Sequence, residues 1–275
     1  MDKNKALKTA LEAAQKAGQV LIKEINKQHS QKKDNLYLKK GYRQIKSDID
    51  LTVDKLIKKT ISKNFPNHNI LTEESSKIGR KSKYTWVIDP LCGTIAYLRG
   101  IPNFGTSIAL LENKTVILSV INDPSFKQSY YALKNKGAFC NKKPIKVSSQ
   151  TKVKESIIEI QHAVLRNNQF EKSFVKIAQT ARRIRMSDSM AVGMAYVAVG
   201  KVDAIVNLVQ PLYDFAAGML IIKEAGGKIT DFKGKKVNFK LDTVRRNNIL
   251  GSNGKINDQL IKLLKKQKIK QKTKE

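Results

Sequence analysis

The sequence predicts an α/β protein in which layered sheets are covered by helices. Two observations support this fold class: short apolar segments with β character fill much of the first half, and helical and strand patterns alternate in the second half. At 275 residues, the chain can bury a large core, either as one domain or as two lobes that share an interface. Its 41% hydrophobic and 28% charged residues are typical of a soluble globular protein.

The first half begins with two helices, which are followed by short strands. Apolar residues recur at helical spacing over 4–28 and again over 50–64, where Phe65-Pro66-Asn67 ends the second helix. The polar, basic stretch 30–45 between them is expected to be a mobile loop. Strands are predicted for the apolar segments 70–71, 84–88, 106–111, 116–121 and 129–133, with a hairpin turn at Asn113-Lys114.

The second half alternates between the two kinds of element. Helices are predicted for 169–180, 189–199, 214–225 and 257–266, and strands for 156–164, 184–186, 204–206, position 229 and 249–250. Gly226-Gly227 provides a C-cap for the third of these helices. The polar stretch 148–152 places a boundary near residue 150, which divides one structural unit into an N-terminal lobe (1–150) and a C-terminal lobe (151–275).

The composition is unusually basic. The net charge is +30, since 53 lysines and arginines stand against 23 aspartates and glutamates, and only nine of the cations are arginines. Lysine without arginine forks or interleaved aromatic rings is a weak signal for nucleic-acid binding. Two interpretations remain open: the lysines cover solvated faces, or they create a positive field that attracts anions, from phosphorylated metabolites to RNA.

The cysteine content and the N-terminus predict a cytoplasmic protein. Cys92 and Cys140 occur without a secretion signal, which favours free thiols in a reducing compartment. The N-terminal amphipathic helix contains acidic residues and is unlike a signal peptide. Because no apolar run reaches the length of a membrane span, no membrane contact is expected.

Carboxylates occur at the ends of predicted elements in a chain that has few acids. The four places are Asp48 and Asp50, Glu73-Glu74, Asp89, and Asp214. A single acid at a helix start usually caps the helix, but a cluster of hard oxygen ligands is what Mg²⁺ requires. Gly93-Thr94 follow closely on Asp89-Pro90 and, if a helix begins there, its N–H groups can bind phosphate. The sequence therefore predicts a magnesium and phosphate site.

Several motifs, in order and spacing over nearly the whole chain, resemble the inositol monophosphatase family. The family signature Asp-Pro-hydrophobic-Asp-Gly-Thr is similar to WVIDPLCGT (86–94). Further similar segments are IKSDID (45–50), FPNHNILTEES (65–75), GAFCNKKPIKVS (137–148), YVAVGKVDA (196–204) and LYDFAAGMLIIKEAGGKITDFKG (212–234). The resemblance implies an α-β-α-β-α sandwich, a homodimer, and Mg²⁺-dependent hydrolysis of a small phosphorylated metabolite.

The resemblance also implies metal ligands. Glu73, Asp89 and the carbonyl of Leu91 correspond to the ligands of a first metal ion. Asp89 corresponds to a bridge to a second metal ion, which Asp214 also binds. The family places another aspartate ligand of that second ion where this chain has Cys92.

Catalytic and substrate-binding roles follow from the same resemblance. Thr94, paired with Asp50, and Glu73 correspond to the groups that activate the attacking water. The N–H groups of Gly93 and Thr94 correspond to the phosphate cradle. Substrate contacts are implied for Asp188, Ser189 and Asn207.

The chain departs from the family pattern at several of these positions. Cys92 replaces an acid, and because a thiolate is a soft ligand, we expect a weaker second Mg²⁺ site or selection for Mn²⁺ or Zn²⁺. Ala96 replaces asparagine, Asn207 replaces glutamate and Asp188 replaces glycine, whereas Tyr213 for tryptophan is a mild change.

These departures leave two function classes open. The first is an active metal-dependent phosphomonoesterase. The second is a catalytically weak or inactive member that binds RNA or RNA polymerase, since some bacterial members of the family act in ribosomal RNA synthesis. A cysteine phosphatase is disfavoured, because such enzymes use Cys-x5-Arg and the spacing from Cys92 to Arg99 is Cys-x6-Arg; an inert, buried thiol fits better.

Overall fold

The computed structural model describes residues 1–30, 48–75, 82–161, 170–242 and 246–265, with no side-chain description for 28–30. Apart from Ser30, the loop predicted over 30–45 lies outside the described residues. The end of the predicted strand 156–164 and the C-terminal residues 266–275 also lie outside them.

Two N-terminal helices form the first layer. Helix α1 spans Lys3–Ser30 and α2 spans Asp48–Asn64. The buried stripe of α1 is mostly alanine, including Ala10 and Ala14, which lets the helix approach the neighbouring sheet closely. The helix boundaries agree with those expected from the apolar spacing.

The first sheet has seven strands in chain order and is built entirely from residues 69–145. Its strands are β1 (Asn69–Thr72), β2 (Tyr84–Cys92), β3 (Gly105–Glu112), β4 (Thr115–Asp123), β5 (Gln128–Leu133), β6 (Ala138–Cys140) and β7 (Lys143–Ile145). Only β1 and β2 pair in parallel; the remaining neighbours are antiparallel. The turn between β3 and β4 uses Asn113 at φ 54°, a conformation that asparagine tolerates. Strands β6 and β7 were not predicted from the sequence.

The second sheet has five strands in the order β11-β12-β10-β8-β9. These strands are β8 (Ile157–Ile160), β9 (Arg183–Arg185), β10 (Ala204–Gln210), β11 (Lys228–Thr230) and β12 (Asn247–Ser252). The accompanying helices are α3 (Thr94–Leu98), which follows β2, and α4 (Glu171–Thr180), α5 (Met190–Ala198), α6 (Leu212–Glu224) and α7 (Asn257–Leu264). A 3₁₀ turn at Val153–Glu155 precedes β8.

The elements stack in five layers. Helices α1 and α2 cover one face of the first sheet, α5 and α6 lie between the two sheets, and α4 and α7 pack together on the far side of the second. Every residue of α5 is buried, as expected for a helix covered on all sides. The predicted α-β-α-β-α sandwich is therefore confirmed. In chain order, residue 150 separates the residues of the first sheet from those of the second. The division into two lobes at this point stays a prediction.

Within the described residues, no helix combines the length and apolar character required to cross a membrane.

Candidate active site

The predicted site residues come from both halves of the chain. Asp50 and Asp214 lie in the first turns of α2 and α6, and Glu73 follows β1 directly. Asp89, Leu91 and Cys92 belong to β2, Gly93 and Thr94 begin α3, Asp188 and Ser189 precede α5, and Asn207 lies in β10.

Asp89 lies inside β2, so the expectation that it follows a strand ending at Ile88 is wrong. The strand continues to Cys92, and its pairing shifts between Asp89 opposite Ser107 and Cys92 opposite Gly105. The chain advances three residues along β2, from 89 to 92, but only two along β3, from 107 to 105. This mismatch is a β-bulge. The bulge accommodates Pro90, which has no N–H to donate, and the Pro90 carbonyl accepts a hydrogen bond from Thr106 Oγ1 at 2.9 Å.

Gly93 forms the tight turn between β2 and α3. Its φ of 96° is in the left-handed region. A Cβ atom here would lie 2.6 Å from the carbonyl oxygen of Asn103 and 3.1 Å from the Cβ of Ser189. Both the backbone angle and the close neighbours therefore require glycine. The turn starts α3 at Thr94, so a helix does begin at Gly93-Thr94. The binding of phosphate there stays a prediction.

The hydroxyl of Thr94 connects two of the predicted site residues. Thr94 Oγ1 lies 3.4 Å from Asp50 Oδ1 and 3.1 Å from the carbonyl oxygen of Leu91. The structure thus brings together the Thr94–Asp50 pair, although residues 48–50 and 94 are far apart in sequence. A threonine hydroxyl that donates to a buried carboxylate keeps its oxygen lone pairs available to accept a hydrogen bond from a water molecule.

The pKa values of two acids at the site, Asp89 and Asp214, are raised by their surroundings. Burial, followed by the charges of Glu73 and Asp214, raises the pKa of Asp89 well above its usual value. Burial and the charge of Glu73 also raise the pKa of Asp214, and Arg246 partly offsets this. Carboxylates in this environment have the hard-oxygen chemistry that a divalent cation would stabilise.

The side chains do not form a closed coordination sphere. Across the ranges that the structure describes, no three His, Cys, Asp or Glu side chains are arranged to hold a metal ion. The fit to a cation therefore depends on the hard-oxygen chemistry of Glu73, Asp89 and Asp214 and on the raised pKa values of the two aspartates, with the carbonyl of Leu91 as a further donor.

Cys92 is a buried, neutral thiol between the acids and α5. Its Sγ accepts a hydrogen bond from the Ala191 N–H at 3.4 Å, and the thiol is hydrogen-bonded to Asp89. Burial, with added repulsion from Asp89 and Asp214, raises the pKa of Cys92 well above its usual value. A protonated thiol is a poor ligand for Mg²⁺ and a poor nucleophile.

Asn103 is a structural link that sequence reasoning missed. Its Oδ1 accepts hydrogen bonds from the N–H groups of Asp188 and Ser189, both at 3.1 Å. Its own carbonyl lies against Gly93. Asn103 therefore joins the Gly93 turn to the segment before α5. Pro102 suggests a turn here, but no motif or local pattern shows this link.

Asn207 has a buried amide. Its Oδ1 accepts a hydrogen bond from the Gln161 N–H at 3.1 Å, and its Nδ2 contacts Met190 Sδ. The amide therefore faces α5 and the strand end of β8, and its role as a substrate contact stays a prediction.

Fold and site together define a phosphatase class of the layered α/β type. The model of the inositol monophosphatase family matches residues 2–268, and the chain belongs to this family. It is 37% identical over 232 residues to the fructose-1,6-bisphosphatase/inositol-1-monophosphatase of Thermotoga maritima, which covers 84% of this chain and 86% of that protein. It is 35% identical over 233 residues to the Nus factor SuhB of Xylella fastidiosa, with 83% and 82% covered.

Solved structures show the same architecture. The IMPase of Thermotoga maritima superimposes with a TM-score of 0.81 at 35% identity, covering 94% of this chain and 96% of that chain. The extragenic suppressor protein suhB of Bartonella henselae superimposes with a TM-score of 0.86 at 30% identity, covering 94% and 98%. The resemblance stated from the motifs is thereby confirmed.

Proposed function

We propose that this protein hydrolyses small phosphate monoesters with the help of a divalent cation. The observation that supports this most directly is the contact of Thr94 Oγ1 with Asp50 and with the carbonyl of Leu91, beside the buried acid Asp89. The fructose-1,6-bisphosphatase/inositol-1-monophosphatase of Thermotoga maritima supports the same reaction class.

The residues divide the reaction between them. Thr94, held by Asp50, and Glu73 position the attacking water. The carboxylates accept its proton, Glu73 directly or Asp50 through the hydroxyl of Thr94, which passes its own proton to Asp50 as it takes the one from water. The N–H groups of Gly93 and Thr94 orient the phosphate at the start of α3. When bound, the cation polarises the phosphate oxygens and neutralises charge, with Glu73, Asp89, Asp214 and the carbonyl of Leu91 as its ligands. Positioning and charge neutralisation supply most of the catalysis in phosphoryl transfer.

Mg²⁺ is the proposed cation, and Cys92 is the reason to include Mn²⁺ and Zn²⁺. A neutral thiol contributes no charge beside Asp214, so binding of a second Mg²⁺ ion is weakened. A softer ion that displaces the thiol proton would gain a ligand that Mg²⁺ does not favour.

The test is phosphate release from inositol 1-phosphate, nucleotide 3′-phosphates and sugar phosphates in Mg²⁺, Mn²⁺ or Zn²⁺. We expect turnover with at least one combination of substrate and cation, and we expect Asp89→Asn to lose that activity. The matched control is Asp258→Asn, which removes an acid whose side chain is 81% exposed on α7. No turnover with any substrate and cation would reject the proposal.

A second function is proposed because of the SuhB relatives and the net charge of +30. In this alternative, the protein binds RNA or RNA polymerase through its basic surface, with weak or no catalysis. Retention on RNA that weakens steeply with salt and survives Asp89→Asn would support it. Full phosphatase activity without retention on RNA at moderate salt would count against it.

The homodimer and the cytoplasmic location are proposed on the family resemblance and on the two free thiols, Cys92 and Cys140. Light scattering after gel filtration measures the mass, and a monomer at micromolar concentration would reject the dimer. Cell fractionation tests the location, and recovery outside the cytoplasmic fraction would reject it.

A further inference from the structure

Glu73 lies in a tight turn, residues 72–75, that several contacts keep closed. The Thr72 N–H donates to the Ser75 carbonyl at 3.1 Å, and the Ser75 N–H donates to Thr72 Oγ1 at 3.0 Å. The hydroxyl oxygens of these two residues lie 3.1 Å apart. The Glu73 N–H donates to the carbonyl of Ile88 at 3.1 Å, which fixes the backbone of the turn against β2. The place of the Glu73 carboxylate therefore depends on this turn.

A lysine of α2 bridges to the turn. Lys58 Nζ lies 3.4 Å from Ser75 Oγ and 2.9 Å from Asp54 Oδ2. The side chain of Asp54 is only 4% exposed, and its other oxygen, Oδ1, is buried with no hydrogen bond from the residues that the structure describes. Because a buried carboxylate needs a compensating charge, Asp54 holds the ammonium group of Lys58 in place. Lys58 is thus a fixed link between α2 and the turn that carries Glu73.

Helix α2 contacts the site at a second point. Its Asp50 carboxylate lies 3.4 Å from Thr94 Oγ1. Asp50 and Asp54 are both buried and stand one helical turn apart, so they share a face of α2. This face therefore bears the partner of Thr94 and also the ion pair that reaches the turn of Glu73.

We propose that Lys58, held by Asp54, is a positioning residue for Glu73, an inference that rests on the proposed phosphatase function. The ammonium group donates to Ser75 Oγ and keeps the turn closed. The Glu73 carboxylate then stays where it would bind the cation and accept the proton of the attacking water. Groups that orient a metal ligand without touching the metal change metal affinity or activity by about 10–100-fold when they are removed.

The charge of Lys58 and its positioning role predict opposite effects on cation binding. A nearby positive charge repels Mg²⁺, so its removal alone would tighten Mg²⁺ binding. Loss of the bridge would instead loosen the turn and weaken Mg²⁺ binding. We expect Lys58→Met to raise the Kd for Mg²⁺, measured by calorimetry, about tenfold. Lys58→Arg keeps a cation of similar reach and should stay within about twofold of the wild-type protein.

Ser75→Ala is the second variant, because Lys58→Met leaves Asp54 buried without its partner and destabilises the fold. The alanine removes the hydroxyl that Lys58 contacts and keeps the ion pair and both backbone N–H bonds of the turn. It should also raise the Kd for Mg²⁺ about tenfold. If Lys58→Met does not fold, Ser75→Ala decides alone.

Lys16→Met is the matched control, since Lys16 forms an ion pair with Glu12, also four residues away, at 2.6 Å on α1. It should leave the Kd for Mg²⁺ unchanged. Unchanged or tighter Mg²⁺ binding in Ser75→Ala or in folded Lys58→Met would overturn the proposal, as would an equal loss in Lys16→Met.

Steady-state kinetics provide a further readout. In Lys58→Met and Ser75→Ala, the Mg²⁺ concentration for half-maximal phosphate release from inositol 1-phosphate should rise about tenfold. The KM for inositol 1-phosphate at saturating Mg²⁺ should stay within about twofold, because the turn is proposed to serve the cation and the water. Equal rises in both values would indicate a general disruption of the site and overturn the positioning role.

Calorimetry also separates this inference from the proposed function. If the wild-type protein binds Mg²⁺ but hydrolyses no phosphate ester, the phosphatase proposal fails, and weaker Mg²⁺ binding in the two variants still supports the role of Lys58. If the wild-type protein hydrolyses esters and the variants bind Mg²⁺ as it does, only the role of Lys58 fails. A wild-type protein that binds no Mg²⁺ would overturn that role too.

Discussion

The Sγ atom of Cys92 accepts a hydrogen bond from the N–H of Ala191 at 3.4 Å, which ties the end of β2 to the first turn of α5. The thiol thus occupies a structural position between the two elements that border the site. Because it is neutral, the side chain at position 92 adds no negative charge beside Glu73, Asp89 and Asp214.

Cys92→Asp should make the protein more dependent on its cation. Without a cation, we expect a lower Tm, since another carboxylate is buried beside Asp89 and Asp214. With Mg²⁺, we expect a larger rise in Tm than in the wild-type protein, because stabilisation by a ligand grows with its affinity. Thermal unfolding with and without Mg²⁺ measures both effects, and phosphate release should increase in parallel.

Cys92→Ser is the control for that substitution, since it keeps a small neutral side chain that can accept from Ala191. Its Tm should respond to Mg²⁺ as the wild-type protein does. If Cys92→Asp and Cys92→Ser show the same response to Mg²⁺, the idea that position 92 limits the second metal site is wrong.

Thr94→Val should abolish most of the activity with little effect on folding. Valine matches the shape of threonine but cannot bond to Asp50 or to the carbonyl of Leu91. Loss of a positioned proton-transfer group lowers rates by about 10²–10⁴-fold, whereas one lost hydrogen bond costs only about 1 kcal/mol of stability. Steady-state phosphate release and urea unfolding provide the two values.

Thr60→Val is the matched control for Thr94→Val, because Thr60 Oγ1 also donates to a backbone carbonyl, that of Leu56 at 3.0 Å. It should lose similar stability and keep full activity. Equal activity losses in the two variants would show that the hydroxyl of Thr94 has no special role.

The sequence predicted most of the fold because its main elements are long and periodic. The apolar stripe of α1 and the alternation after residue 150 are local patterns, and both are visible without tertiary information. Strands β6 and β7 are only three residues long and the second is largely exposed, so they have too few residues to show a period. Pro90 suggests the end of a strand because it has no N–H to donate. Strand β2 nevertheless continues through it, since the bulge opposite β3 places Pro90 outside the regular pairing.

The site was predictable where its residues fall in motifs and not where they meet only in space. Asp50, Asp89 and Thr94 lie in recognisable segments. Asn103 was missed, since its amide contacts Asp188 across 85 positions of sequence. Such a link depends on the packing of the segment before α5 against the Gly93 turn, which no local pattern encodes.

Stability should fall in mild acid partly because of His68. Its Nδ1 accepts a hydrogen bond from Trp86 Nε1 at 3.2 Å, which requires an unprotonated nitrogen, and burial lowers the pKa of His68. The unfolded chain therefore binds this proton more readily than the folded one. The contribution of neutral His68 to the free energy of unfolding is fully present above about pH 6.5, the ordinary histidine pKa. It is lost as the pH falls towards the lower pKa of the folded state.

Urea unfolding followed by fluorescence tests the role of His68, because Trp86 is the only tryptophan of the chain. His68→Gln keeps a hydrogen-bond acceptor but does not titrate. Between about pH 7.5 and pH 5, its unfolding free energy should decline less than that of the wild-type protein. The same decline in both proteins would assign the acid sensitivity to other groups.

Gly193→Ala should destabilise the protein although alanine favours helices. A Cβ at position 193 of α5 would lie 2.2 Å from Glu159 Oε1 and 2.7 Å from Ile205 Cδ1. Glu159 cannot move aside easily, since it is fully buried and bonded to Arg185 and Ser187. Overpacking of this kind costs roughly 1–3 kcal/mol, which exceeds the gain of about 1 kcal/mol from helix propensity. Urea unfolding measures the difference in unfolding free energy between Gly193→Ala and the wild-type protein.

Gly226→Ala is the comparison, because a Cβ there meets no atom within 4 Å and only its φ of 90° opposes the change. If Gly193→Ala were neutral or stabilising, the tight packing of α5 against β8 and β10 would be disproved.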